Sequence, residues 1–156
     1  MPTTSDDPRL QRLVTAYEQL RHDNLAALLA LYAEQAFFKD PFNEVHGRKA
    51  IGRIFAHMFE TLQAPRFTVT QAMSAGEQAF LAWEFRFLRA GAQPLVIRGA
   101  SHLRFSAEGL VDMHRDYWDA AEELYARLPL LGPAMRWLRR RLAAPQPAGG
   151  TQADGG

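Results

Sequence analysis

The side chains able to move a proton gather in two stretches. Phe37-Phe38-Lys39-Asp40-Pro41-Phe42 sets a carboxylate at the end of an apolar run, and His114-Arg115-Asp116-Tyr117-Trp118-Asp119 sets an imidazole two residues from another. Burial raises a carboxylate's pKa and makes it a useful base. Asp40 therefore reads either as such a base or as the opening residue of an Asp-Pro turn. On a strand, His114, Asp116 and Trp118 share one face, and Met113, Arg115 and Tyr117 the other. The bulk of Val111, Met113 and Tyr117 marks their face as the core side, which leaves His114 and Asp116 at a wet edge unless a pocket covers them.

Trp83-Glu84-Phe85-Arg86-Phe87 poses the same question. Alternation unites the three rings and sends Glu84 and Arg86 toward solvent. His102 and Arg104 oppose Leu103 and Phe105 and read as outer-face residues. His22, His46 and His57 are isolated, and no histidine pair has the spacing of metal ligands, so no metal site is expected.

The elements that position these groups follow from periodicity. Asp7 before Pro8 is a helix start, and Leu10, Leu13, Val14, Tyr17 and Leu20 form one apolar face. Arg21 to Asn24 interrupts this helix and caps a second one, whose stripe is Leu25, Leu28, Leu29 and Tyr32. Phe37 to Phe42 is a short strand ended by its proline, and Asn43 to Gly47 is a loop. A helix over 48–62 buries Ile51, Ile54, Phe55, Met58, Phe59 and Leu62. The period then becomes two: Phe67 to Met73, Gln78 to Arg89, Leu95 to Phe105, and the segment after Gly109. Helices followed by long antiparallel strands predict an α+β fold, with a strongly bent sheet wrapped on three N-terminal helices. A bent sheet packed on helices leaves a cone where ligand pockets form.

Composition narrows the partners. The 156 residues include 18 Lys and Arg against 17 Asp and Glu, so nothing favours nucleic acid. There is no cysteine, hence no disulfide, thiolate nucleophile or cysteine-bound metal. No apolar run approaches the ~20 residues of a membrane span, and Met1 to Arg9 lacks a signal-peptide core; a cytoplasmic protein is the expectation. Residues 1–7 are expected to be a flexible N-terminus, 8–125 one domain, 126–143 an amphipathic basic helix and 144–156 a disordered tail. The four arginines of 134–142 would suit an anionic membrane surface, or a solvated face on a helix that caps the domain.

The stretches Tyr32 to Phe42, Gly47 to Ile51, Gly99 to Phe105 and His114 to Asp119 resemble the nuclear transport factor 2-like superfamily. The likeness is nearest to its SnoaL-like branch and covers about residues 8 to 125. It implies a cone-shaped, cystatin-like α+β barrel with a pocket between sheet and helices, and a homodimer through the outer sheet face. Similarity to steroid Δ-isomerases puts their general base on Asp40. Their oxyanion donors fall on Ala16 and Ser101, and Tyr17, one residue on, would point elsewhere. Similarity to limonene-epoxide hydrolases puts their water-activating carboxylate on Asp116, with Phe38 and Asp40 at the other water-holding positions. Their middle-strand Arg-x-Asp meets Glu84-Phe85-Arg86 in reverse order.

The resemblance turns the strands around. Asp40, Ser101, His114, Asp116, Trp118 and Glu84 would face the pocket, and Trp83, Phe85, Phe87, Met113 and Tyr117 the outside. The expected catalytic set is Asp40, Asp116 and His114. The expected pocket residues are Phe38, Phe55, Tyr17, Glu84, Arg86, Ser101, Leu103 and Trp118. The ligand would be small and largely apolar with one polar group. The chain would then be an isomerase, hydrolase or cyclase working with paired carboxylates and no cofactor, or a non-catalytic binding or dimerisation module of the same fold.

Overall fold

The computed structural model describes residues 6–88, 94–123 and 133. Helix α1 (Pro8–Glu18) is followed by a 3₁₀ turn (His22–Asn24), the short α2 (Leu25–Leu29), strands β1 (Tyr32–Lys39) and β2 (Glu44–His46), and α3 (Arg48–Thr61). Then come β3 (Gln63–Ala75), β4 (Gln78–Leu88), β5 (Pro94–Phe105), β6 (Val111–Tyr117) and a last turn of helix, α4 (Ala120–Glu123). The strands form one mixed sheet in the order β2-β1-β6-β5-β4-β3, with β1 and β6 parallel and every other pair antiparallel. Helices α1 and α3 pack on its inner face, so the expected α+β architecture is the one observed. The expected features of residues 124–156, the basic helix included, lie outside the described residues apart from Pro133.

Two expectations near the start of the sheet need correction. Tyr32 is not on the second helix but opens β1, and residues 44–46 are a strand paired with β1 rather than loop. The register between β1 and β6 slips between Tyr32 and Phe37. There the Tyr32 carbonyl accepts from Arg48 Nε and Nη2 at 3.0 and 2.6 Å, so a side chain supplies the donors.

Bulges shape the cone. On β6, Phe105 pairs with Val111 but Arg104 with Met113, which makes Asp112 an extra residue. On β3, Thr70 is the extra residue between the pairs Val69–Trp83 and Gln71–Ala82, and the Val69 N–H is taken by Glu18 Oε1 at 2.9 Å. Each bulge bends its strand and reverses the alternation beyond it. Val69 and Ala72 are thus both buried, as are Val111 and His114, although the members of each pair lie three positions apart.

The core fills the concave side with Leu10, Leu13 and Tyr17 of α1 and Ile51 and Phe55 of α3, against Tyr32, Phe38, Leu81, Leu103, Phe105 and Val111 of the sheet. Trp83, Phe85 and Phe87 are also buried here, not on the outer face assigned to them above. Their register explains it. Trp83 pairs with Gly99 and Leu81 with Ser101, and directly paired residues share a face.

Helix α1 is anchored by its cap. Asp7 accepts from Arg9 N at 2.9 Å and pairs with Arg9 Nη2 at 2.7 Å, while that guanidinium also donates to the Gly76 carbonyl and lies over Phe105. The Arg9 hydrogen bond holds the Asp7 carboxyl at about 2, below its usual 3.8. A lowered pKa stabilises the fold fully above the unfolded value and is lost as pH falls through the folded one. Asp7→Ala is therefore expected to cost about 1–2 kcal/mol at pH 7. Urea denaturation should show that gap closing between about pH 4 and pH 2. An equal gap at both ends of this range would exclude the assignment.

Candidate active site

The site is built on β6. Because Asp112 is bulged, His114 and Asp116 follow Val111 to the concave side. His114 is 2% exposed, one of two buried polar residues among those described, the other being Ser101. The imidazole lies between rings, with Phe38 edge-on at 4.8 Å between centroids and Tyr32 stacked at 6.0 Å.

A continuous hydrogen-bonded chain runs through these residues. His114 Nε2 is 2.6 Å from Asp116 Oδ1, and Ser101 Oγ donates to the same oxygen at 2.5 Å. Trp83 Nε1 donates to Ser101 Oγ at 2.8 Å. On the other side of the ring, Nδ1 is 2.6 Å from the Tyr32 hydroxyl and 3.2 Å from that of Tyr17, and the two hydroxyls bond each other. Burial is the main cause that raises both phenol pKa values, to well above the usual value for Tyr17, with Asp116 adding to each, so both stay protonated.

The polar groups of Tyr17, Ser101, His114 and Asp116 border one cavity, whose other walls are Phe55, Phe67, Val69, Leu81 and Trp83. Its volume is about 20 Å³, room for one water. Asp116 also borders an open cleft at the end of β1 and β6, lined by Asp40, Pro41 and Trp118 among others. Asp116 thus lines both cleft and cavity.

Of the expected catalytic set, His114 and Asp116 are joined, and Asp40 stands apart from the cavity. Its Oδ1 accepts from the backbone N–H groups of Phe42 and Asn43 at 2.7 and 2.6 Å, and the Asn43 amide bonds both its oxygens. This is the turn-forming role; Asp40 and Asp116 share the open cleft but not the cavity. Glu84 and Arg86 are a second correction. They lie on the outer face, where Glu84 pairs with Arg86 and with Arg98. The inward register of Trp83 requires that placement.

Tyr17, one residue off the isomerase oxyanion position but named among the pocket residues, reaches the cavity, as do Phe55 and Ser101. Phe38 backs His114, Leu103 is buried, and Trp118 packs on Phe42 beside the outer cleft. The reading from sequence missed Tyr32, hidden in an apparent helical stripe, and Trp83, whose own alternation had already grouped it with the core rings. No group of three or more His, Asp or Glu among the described residues could hold a metal. No helix among them is long and apolar enough to cross a membrane.

Comparison with known proteins agrees with this architecture. A protein from Catenulispora acidiphila DSM 44928 with a ketosteroid isomerase-like fold, solved in complex with trimethylamine, superimposes with a TM-score of 0.66 at 22% identity, over 78% of this chain and 92% of that one. An NTF2-like protein of unknown function from Burkholderia pseudomallei K96243 gives a TM-score of 0.66 at 18% identity, over 74% and 94%. Another from Exiguobacterium sp. 255-15 gives 0.61 at 16%, over 71% and 98%. At these identities the likeness is one of fold. Curated proteins gave no match. The model of the SnoaL-like domain matches residues 10–114, and the chain belongs to that family.

Proposed function

We propose that the protein is an acid/base enzyme acting, without a cofactor, on a small and largely apolar molecule with one polar group. The observation that carries this reading is the state of Asp116. Its Oδ1 is fixed by Ser101 and His114, while its Oδ2 has no hydrogen-bond partner among the described residues and its side chain is 17% exposed. An oriented carboxylate with one free oxygen on the wall of an apolar cavity is suited to accept a proton. His114 holds it in place and is itself held by Tyr32, as a base is held by a third group.

The test is a panel of small lactones, epoxides, enones, alcohols and amines, assayed by mass spectrometry. Asp116→Asn should lower any turnover found by about 10²–10⁴-fold. Undiminished turnover in that variant would remove Asp116 from the reaction. The second reading, binding without catalysis, is favoured by the engagement of Asp40 in its turn, which leaves the cavity a single carboxylate. It predicts saturable binding with no change in the ligand.

A homodimer through the outer sheet face is proposed with this reading. Met73, Phe80 and Tyr117 are about half exposed there, and Phe80 stacks on His102 at 4.6 Å. Phe80→Asp should raise the dimer dissociation constant at least about tenfold, by light scattering, since burying an unpaired charge costs more than 1.4 kcal/mol. A wild-type monomer at 100-fold above micromolar concentration, roughly the weak limit for specific dimers, rules the interface out.

A further inference from the structure

Every side-chain donor that borders the cavity is already committed. Against a carboxylate, which only accepts hydrogen bonds, Nε2 of His114 is the donor. In that tautomer Nδ1 is an acceptor, which makes Tyr32 the donor at 2.6 Å and leaves its oxygen to receive the Tyr17 proton. Ser101 donates to Asp116, and Trp83 to Ser101. What remains for a ligand is Asp116 Oδ2 and the lone pairs of Ser101 and Tyr17. All are acceptors, one is charged, and no Lys or Arg lines the cavity. The remaining wall includes the rings of Phe55, Phe67 and Trp83, whose faces attract cations.

We propose that this cavity recognises the ammonium head of a small protonated amine and discriminates against carbonyl compounds and anions. This rests on the reading of the cavity as the substrate site, and it names the ligand class. A carbonyl oxygen or a carboxylate entering here meets no donor and faces a like charge, and leaving such a group unpaired is a strong means of rejection. The free volume of one water is also about that of an ammonium group.

The experiment is an NMR titration of the full-length, ¹⁵N-labelled protein with methylammonium, methanol, acetone and acetate. Methylammonium should shift the Trp83 indole N–H and the His114 ring signals and bind at least about tenfold more tightly than methanol, the charge being worth 1.4 kcal/mol or more. Acetone and acetate should leave these signals in place. Asp116→Asn removes the charge and puts an amide N–H₂ where Oδ2 was. It should abolish the methylammonium response and admit acetone. Phe67→Leu, which leaves the hydrogen-bonded chain intact, should weaken methylammonium roughly threefold. Acetate or acetone binding the wild type as tightly as methylammonium overturns the proposal, as does no methylammonium response or an unchanged one in Asp116→Asn. If turnover of some other class depends on Asp116 while amines fail to bind, only the ligand class falls. If amines bind as stated without turnover, only the catalytic reading falls.

Discussion

Replacing His114 by Leu is expected to destabilise the protein by about 3 kcal/mol, although the two side chains are similar in volume. The imidazole is 2% exposed and joins two hydrogen-bonded halves, the tyrosine pair and the Ser101–Asp116 pair. An apolar side chain in its place leaves the Tyr32 hydroxyl without its acceptor and Asp116 without one of its two donors. Unpaired buried groups carry their full desolvation cost, which exceeds what each bond contributed. Changing Tyr17 and Tyr32 to Phe together removes that orphan, whereas Tyr32→Phe alone would pass it to Tyr17, whose hydroxyl bonds only Tyr32 and His114 among the described residues. The tyrosine-pair change combined with His114→Leu should therefore cost less than the sum of the two made separately, by about 1 kcal/mol. Urea unfolding of the four proteins measures this directly, and strict additivity would mean that the chain of hydrogen bonds is not a unit.

The second large effect is expected at Gly99. A Cβ there would lie 2.4 Å from Trp83 Cη2, 2.5 Å from its Cζ2 and 3.0 Å from Trp118 Cβ. Gly99 is the cross-strand partner of Trp83, and the indole lies over the space that the missing side chain leaves. The indole cannot yield freely, because its Nε1 is bonded to Ser101 and its ring packs edge-on against Phe67. Gly99→Ala should cost about 1–3 kcal/mol from overpacking and about 1 more if the bond to Ser101 breaks. The indole N–H resonance of Trp83 would then move toward its water-exposed position. An unmoved resonance with wild-type stability would show that the wall is softer than described.

How much of this was legible in the chain depends on what each residue's signal was about. The helices were readable because caps and apolar stripes are local: Asp7-Pro8 and the Leu10–Tyr17 face stand where periodicity put them. The long strands were readable for the same reason. Which way a strand faces is not local. Glu84 and Arg86 were correctly sent outward by their own alternation, and family analogy then turned Glu84 inward. The register decides between them, since Ser101 facing inward obliges its paired Leu81, and with it Trp83, to do the same. For His114 the reverse held. Simple alternation grouped Val111 with Met113, and only the extra residue at Asp112 separates them. A bulge leaves little trace in composition, so no window of polar and apolar residues would have found it. Asp40 shows a third case. An Asp-Pro-x-Asn sequence carries its own turn chemistry, and the local explanation was sufficient.

The bulge at Asp112 decides which face of β6 lines the cavity. Arg104 holds Asp112 at the surface by a 2.8 Å ion pair, and everything beyond it is read one residue out of phase with Val111. Deleting that residue would let the ladder run regularly from Val111 opposite Phe105 to Met113 opposite Arg104, and His114 and Asp116 would keep the inward face. Pressing the bulge flat with every residue retained would instead act as a frameshift acts on a message. Met113, Arg115 and Tyr117 would be translated into the cavity, and His114 and Asp116 onto the outer face, with no change in any of their identities. Which face of this strand lines the cavity is therefore set by whether one residue is looped out of the ladder, and not by the identity of any side chain.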